Sequence, residues 1–136
     1  MTRLKVSQET SVEATFVLAP EEAQLLLRLA FMAIGRKRFS SADQILTALE
    51  AFRPGDEALI AARAVADISR KAFTDCRHRL EEARLHRGCL PPMLALFYGI
   101  ALGKSGEPET ARQIWQTVAR QTEALPAARF AQDLLA

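Results

Sequence analysis

The first stretch that suggests chemistry is Gly-Lys-Ser at residues 103–105, within the sequence GIALGKSG. A phosphate-binding loop needs Gly-x4-Gly-Lys-Ser/Thr between a strand and a helix, because its backbone amides must wrap around the phosphates. Here Gly99 and Gly103 enclose only three residues, and the preceding residues 94–102 have the character of a helix. We therefore expect no nucleotide site, and we interpret the tripeptide as the end of a helix.

Metal binding is the second possibility, because the chain has two cysteines and two histidines. Cys76, His78, His86 and Cys89 are in principle enough ligands for a zinc site. However, residues two apart on a helix point about 200° away from each other, so Cys76 and His78 diverge. A buried thiol at Cys76 and a histidine near a helix C-terminus at His86 are the simpler interpretations. We expect neither a metal nor a cofactor.

The remaining polar residues do not indicate catalysis. No nucleophile and base stand out as a hydrolytic pair. The net charge is only +2, which is too small to predict a nucleic-acid partner, and Arg36-Lys37-Arg38 is interpreted as a solvated turn. The sequence has no signal-peptide or membrane-spanning pattern, and two cysteines fit reduced thiols. The sequence predicts a cytoplasmic protein that is not an enzyme.

Turn residues divide the chain into helix-sized segments, and strand patterns are missing from the sequence. The dominant residues are good helix formers, chiefly alanine, leucine, arginine, glutamate and glutamine. Pro20, with two acids after it, favours a helix start, and Ser40-Ser41 suggests a cap for the next helix. The sequence predicts an all-α fold, with residues 1–20 as a flexible or groove-filling tail and a domain over residues 21–136.

The helical segments repeat with a period of about 34 residues. Ala30, Ala64 and Gly99 are equivalent in the first helix of each pair, and Ala42, Cys76 and Ala111 are equivalent in the second. Small residues at both positions let paired helices approach within the usual 8 to 10 Å between axes. The predicted repeats are about residues 23–56, 57–90 and 92–125, followed by a capping helix at residues 126–136.

These residues resemble the tetratricopeptide repeat family. The third repeat carries the family pattern best, with Tyr98 and Gly99 in the first helix, Gly106 at the turn, and Ala111 and Trp115 in the second helix. The second repeat departs from the pattern, because Arg63 stands where leucine is usual. The resemblance implies three tandem helix hairpins that form a short right-handed solenoid, with a terminal helix over the last open face.

In that family, the first helix of each hairpin lines a concave face. Of the twelve equivalent positions in this chain, only Gln24 is polar. The others are apolar or glycine: Leu27, Phe31, Ile34, Ala58, Ala61, Val65, Ile68, Met93, Leu96, Ile100 and Gly103. Exposed apolar surface of this extent is typical of a site for an amphipathic helix or an extended apolar segment. The alternative is that residues 14–18, the final helix or a second copy of the chain fills the groove.

Small proteins of three such repeats resemble the chaperones of bacterial type III secretion systems. Residues 42–54 (ADQILTALEAFRP) are similar to the first-repeat closing segment of the group that guards needle subunits. The resemblance implies a cytosolic chaperone that takes part in a secretion system used in bacterial virulence. It would shield an amphipathic helix of a needle or translocator subunit, and it is compatible with a small co-chaperone or a homo-oligomer. The alternative is a general tetratricopeptide adaptor or assembly factor. Neither nucleic-acid binding nor membrane insertion is expected.

Overall fold

A computed structural model describes residues 19–121 and 125–136. Every regular element in these two ranges is an α-helix, and neither range contains a strand, so the all-α prediction is confirmed. The N-terminal tail is outside the described residues except for Ala19 and Pro20. The helices are α1 (Pro20–Gly35), α2 (Phe39–Phe52), α3 (Glu57–Ser69), α4 (Phe73–Arg87), α5 (Pro92–Lys104), α6 (Pro108–Ala119) and α7 (Leu125–Leu135).

The helix starts follow local chemistry at some positions and tertiary packing at others. At α1, the Glu22 carboxylate accepts a hydrogen bond from the Ala19 amide at 3.1 Å, which satisfies one of the unpaired donors of the first turn. At α3, the Asp56 side chain accepts from the Ala58 amide at 2.9 Å. The predicted serine cap of α2 is wrong, because α2 begins at Phe39 and its flanking residue Arg38 makes no side-chain cap.

The turn between the two helices of a pair has the same geometry three times. Its central residue has a positive φ, 60° at Lys37, 62° at Lys71 and 91° at Gly106. The next amide then bonds back to a carbonyl in the last turn of the helix, which is the hydrogen-bond pattern of a Schellman motif. The three bonds are Arg38 N to Ala33 O (2.8 Å), Ala72 N to Asp67 O (2.7 Å) and Glu107 N to Leu102 O (2.9 Å).

The helices pack in an alternating pattern. Each helix contacts the next one along the chain, and α1, α3, α5 and α7 also contact one another in series. In contrast, the described parts of α2, α4 and α6 do not contact each other. Short connections between contacting neighbours favour antiparallel packing, so alternate helices run in the same general direction. The described residues therefore form one row of four helices and a second set of three that cover the row from one side.

Small residues lie where the helices of a pair cross. Ala30, Ala64, Ala42 and Cys76 are each 0% exposed. Gly99 faces the Trp115 indole so closely that an added Cβ would lie 2.9 Å from Cδ1 and Cε2 of the ring. The indole Nε1–H donates to the Leu96 carbonyl at 3.3 Å. Gly99 therefore allows the close approach of α5 and α6 that the repeat pattern predicts.

The last helix extends the row. Ala127 and Ala131 of α7 form a core cluster with Leu96 of α5 and Val118 of α6. Because Ala131 is 0% exposed and Leu96 is 2% exposed, this contact excludes water.

None of the helices in the described residues is long and apolar enough to cross a membrane.

Candidate binding surface

The eleven predicted groove residues all lie on α1, on α3 or on α5, the first three helices of the row. Nine of them keep at least part of their side chain or Cα accessible: Leu27, Phe31, Ala58, Ala61, Val65, Ile68, Met93, Ile100 and Gly103. The other two are buried. The predicted surface is therefore partly present, but it is not uniform along the row.

Leu96 and Ile34 correct the predicted surface. Leu96 is 2% exposed because α7 packs over it through Ala127 and Ala131. Ile34 is 3% exposed and packs with Ala42 of α2 and Ala66 of α3. Neither side chain is available to a partner. The part of the predicted groove around Leu96 is thus covered by the protein's own last helix.

Gly103 also has a different setting from the expected one. We expected its missing side chain to let a partner helix come close. A Cβ built at Gly103 would instead meet the Ala111 Cβ of α6 at 3.7 Å, an ordinary contact within the same hairpin. The open space at Gly103 therefore faces the paired helix. This residue does not contribute a distinct feature to a docking surface.

Three of the positions that remain are equivalent apolar residues on three adjacent helices. Phe31 on α1, Val65 on α3 and Ile100 on α5 are equivalent in the repeat. Phe31 is 39% exposed, and Val65 and Ile100 are half-buried. Because α3 contacts both α1 and α5, the three side chains lie on neighbouring helices. We call Phe31, Val65 and Ile100 the Phe31 row.

A cavity of about 200 Å³ adjoins this surface at the start of α1 and α3. Leu27 and Ala58, two predicted groove residues, line it together with the polar position Gln24. Arg53 and Asp56 also contribute to its wall. Its lining combines apolar residues with a few polar ones, which is the usual character of a binding pocket.

Arg63, which departs from the repeat pattern, has a structural role. Its side chain is 13% exposed and forms ion pairs with Asp43 at 2.9 Å and Glu50 at 3.0 Å. It also donates to the Thr47 hydroxyl at 2.9 Å. The hydrogen bond to Glu50 is the main reason that the pKa of Arg63 is raised. A leucine cannot make these bonds, so Arg63 ties α3 to α2 by charge-assisted hydrogen bonds instead of apolar contact.

A second charged centre lies between α3 and α4. Asp67 is completely buried and accepts from Arg70 Nη2 at 3.1 Å and from Arg79 Nε at 2.9 Å. Burial of an unpaired carboxylate would be costly, and these two guanidinium groups offset that cost. Sequence reasoning missed this residue, because Asp67 gives no local signal that distinguishes it from a surface acid.

Cys76 lies close to this centre. Burial is the main cause that raises the pKa of its thiol to about 12, and the Asp67 charge adds to the effect. A thiol with this pKa stays protonated at neutral pH and is a poor metal ligand or nucleophile.

The other cysteine, Cys89, is exposed. Across residues 19–121 and 125–136, no three His, Cys, Asp or Glu side chains form a group that could hold a metal ion.

A third polar group links α4 to α5 and α6. Arg77 forms ion pairs with Glu81 at 3.0 Å and with Glu107 at 2.7 Å. The Tyr98 hydroxyl donates to Glu81 at 2.9 Å. The hydrogen bond from Arg77 lowers the pKa of Glu81, while burial, followed by the Glu81 contact, raises the pKa of Tyr98. These contacts hold adjacent helices together, on residues that the predicted groove does not use.

The Gly-Lys-Ser tripeptide has no phosphate-loop geometry. Residues 94–102 are helical, Lys104 is the last residue of α5, and Ser105 is the residue that caps it. A strand does not precede the sequence, so the backbone amides are engaged in the helix and its turn. The interpretation as a helix end is confirmed.

The family models give no match to this chain, and neither the curated proteins nor the solved structures give a significant one.

Proposed function

We propose that this chain is a tetratricopeptide-type binding protein whose three hairpins form a short right-handed solenoid with a terminal capping helix. Three features support the proposal. The same turn recurs with a period of about 34 residues at Lys37, Lys71 and Gly106. Alternate helices contact one another in series. Small buried residues lie at the helix crossings.

The Phe31 row is the observation that carries a binding function. It presents one apolar side chain from each of three adjacent helices, and none of the three positions is charged. An amphipathic helix has apolar residues at intervals of three and four, so its apolar face matches a row of this kind. The row therefore suits an apolar polypeptide face rather than a charged tail.

Within this class, the proposed function is that of a cytoplasmic chaperone for a type III secretion subunit. Its partner would be an aggregation-prone amphipathic helix of a needle or translocator protein. Support comes from the similarity of residues 42–54 to the needle-subunit chaperone group and from the apolar character of the Phe31 row. The second candidate is a general tetratricopeptide adaptor, which would use the same row for a polypeptide that is not secreted.

Co-expression with small secreted subunits tests this function. We expect one subunit to yield a soluble, stoichiometric complex. Ile100→Glu should weaken that complex at least tenfold, because it places a charge within an apolar contact. Leu85→Glu is the matched control, because Leu85 is 83% exposed on α4 and outside the row. It should leave the affinity unchanged, and circular dichroism should show both variants folded.

Two outcomes would count against the chaperone. In the first, every secreted subunit stays insoluble when it is co-expressed with this chain. In the second, a complex forms, but Ile100→Glu and Leu85→Glu bind equally well, which means that the row is not the binding surface. Specific binding of a non-secreted polypeptide through the Phe31 row would favour the general adaptor.

A further inference from the structure

Helix α1 has a second apolar face that points away from the core. Its core face consists of Ala23, Ala30 and Ile34, which are 7%, 0% and 3% exposed. Leu25, Leu29 and Met32 are instead 56%, 42% and 52% exposed. Their spacing of four and three residues places them in one stripe along the helix. We call these three residues the α1 stripe.

The equivalent positions in the other two repeats are buried. In the second repeat, Leu59 and Ala66 are 4% and 1% exposed, and in the third repeat Leu94, Tyr98 and Ala101 are 0%, 7% and 0% exposed. The preceding hairpin covers them: Leu59 packs with Leu46 and Leu49 of α2, and Leu94 packs with Cys76 and Leu80 of α4. Arg63, the remaining equivalent, is held by the acids of α2.

Helix α1 is the first described helix, so no described hairpin covers its stripe. A helix that is apolar on two opposite faces is normally enclosed on both of them. Three large side chains half-exposed in one line form a contiguous apolar patch, and such patches mark contact surfaces. The repeat geometry therefore calls for a covering segment at the place that α2 occupies for α3 and that α4 occupies for α5.

We propose that residues 12–18 of this chain cover the α1 stripe by folding back along α1. Their sequence is VEATFVL, in which residues 12, 14, 16 and 18 are all apolar. In an extended segment alternate residues face the same way, so these four side chains share one side. The remaining side carries Glu13 and Thr15, which suit exposure to water, together with the apolar Val17. The segment thus has one apolar side for the stripe and a more polar one for solvent.

The lengths match. Six residues of extended chain, from 18 back to 12, span about 20 Å, and twelve residues of helix, from Pro20 to Met32, span about 18 Å. Residue 16 then lies beside Leu25 and residue 12 beside Met32. The segment joins α1 directly through Ala19, so its effective concentration at the stripe is on the order of millimolar. A covalently attached segment of the right length has this advantage over a second copy of the chain.

Disulfide trapping tests the proposal in the full-length protein. The background is Cys89→Ser, which removes the exposed native thiol and leaves the buried Cys76. The test pair is Phe16→Cys with Leu25→Cys, and the matched control is Phe16→Cys with Gln24→Cys. Gln24 is adjacent in sequence but about 100° around the helix, and it lines the cavity on the groove side. A disulfide needs Cα atoms about 4.4 to 6.8 Å apart, so it reports direct proximity.

After mild oxidation we expect the Leu25 pair to give a cross-linked monomer in most molecules, at least fivefold more than the Gln24 pair. A preference for Gln24 would overturn the proposal, because the segment would then fill the groove. Equal trapping of both pairs would overturn it in favour of an unplaced tail. Disulfide-linked dimers through Leu25 would overturn it by assigning the stripe to a second copy of the chain. Absence of cross-linking in both pairs would also overturn it, because the segment would then lie away from α1.

Deletion of residues 1–18 provides a second readout that needs no cysteine. The deleted protein should bind a hydrophobic dye more strongly or self-associate, and the exposed-face substitution Leu29→Lys should suppress this gain. An unchanged dye signal and oligomeric state after deletion would contradict the cover. The proposal uses no residue of the Phe31 row, so its failure would leave the proposed function untouched, and the converse also holds.

Discussion

At the scale of single residues, a missing methyl group sets the spacing of one helix pair. The Trp115 indole fills the space in front of Gly99, and its Nε1–H donates to the Leu96 carbonyl at 3.3 Å. Glycine is unfavourable in a helix interior, by about 0.5 to 1 kcal/mol relative to alanine. Here the close contact between α5 and α6 offsets that cost, because no larger residue leaves room for the ring.

Gly99→Ala should therefore destabilise the protein in spite of the better helix propensity of alanine. An added Cβ would meet Cδ1 and Cε2 of Trp115 at 2.9 Å, and overpacking of this kind costs about 1 to 3 kcal/mol. Urea unfolding measures the loss, and a change in the near-ultraviolet spectrum of the only tryptophan reports the ring movement.

Gly35→Ala is the control for this prediction. Gly35 lies at the end of α1, and a Cβ built there meets nothing within 4 Å. Its substitution should be neutral or stabilising by up to about 1 kcal/mol, since alanine favours the helix. If both variants changed stability in the same direction and by the same amount, close packing at Trp115 would not be the reason for glycine at position 99.

At the scale of elements, one turn design joins the two helices in all three pairs. The design requires a left-handed backbone at its central residue, and φ is 60° at Lys37, 62° at Lys71 and 91° at Gly106. Glycine adopts this conformation at no steric cost, whereas a residue with a Cβ is strained there. Two of the three turns therefore carry backbone strain that the third avoids.

The two directions of substitution should have opposite effects. We expect Gly106→Lys to lower the free energy of unfolding by about 1 kcal/mol, because it introduces the strain. Lys37→Gly should leave stability unchanged or raise it by up to about 1 kcal/mol, since relief of strain is partly cancelled by the greater freedom of glycine in the unfolded chain. Thermal and urea unfolding of the two variants measure these differences.

A clear loss of stability in Lys37→Gly would contradict this account. It would mean that the lysine side chain contributes a favourable interaction that exceeds the strain, for example with the negative end of the α1 dipole. Lys37→Ala separates the two effects, because it removes the charge but keeps the Cβ. Equal losses in Lys37→Ala and Lys37→Gly would assign the contribution to the charge.

At the scale of the whole molecule, α7 closes one end of the row while the α1 stripe is left without a described cover at the other. Leu96 is buried at the closed end by Ala127 and Ala131. Leu25, Leu29 and Met32 are half-exposed at the other end. A stack of repeats has two terminal faces, and each needs a cover because neighbouring units supply it only in the interior.

Leu96→Ala should therefore cost about 2 to 4 kcal/mol, because it leaves a cavity between α5 and α7. Denaturant unfolding measures the loss, and hydrogen exchange should show faster opening of α7 in this variant. Leu85→Ala, at a position that is 83% exposed, is the control and should change stability by less than about 0.5 kcal/mol. A small effect of Leu96→Ala would mean that α7 is docked weakly.

Local spacing and turn chemistry were enough to predict the helices and their crossings. Pro20, Gly88, Pro92 and Gly106 mark helix ends because their backbone preferences act within a few residues. Ala30, Ala64 and Gly99 identify the crossings because only small side chains fit there. Such preferences are properties of short segments, so they can be read before the chain is folded.

Contacts between distant segments decided the rest. Leu96 and Ile100 are equally apolar, but only Leu96 lies under α7, and no local pattern separates them. Arg63 departs from the repeat pattern, and its structural role can be recognised only from its ion pairs with Asp43 and Glu50 of the preceding helix. Helix propensity and turn residues act locally, whereas burial and ion pairing depend on which helices become neighbours. This is why the sequence predicts the crossings, while the accessible part of the groove and the buried charges emerge only from the packed helices.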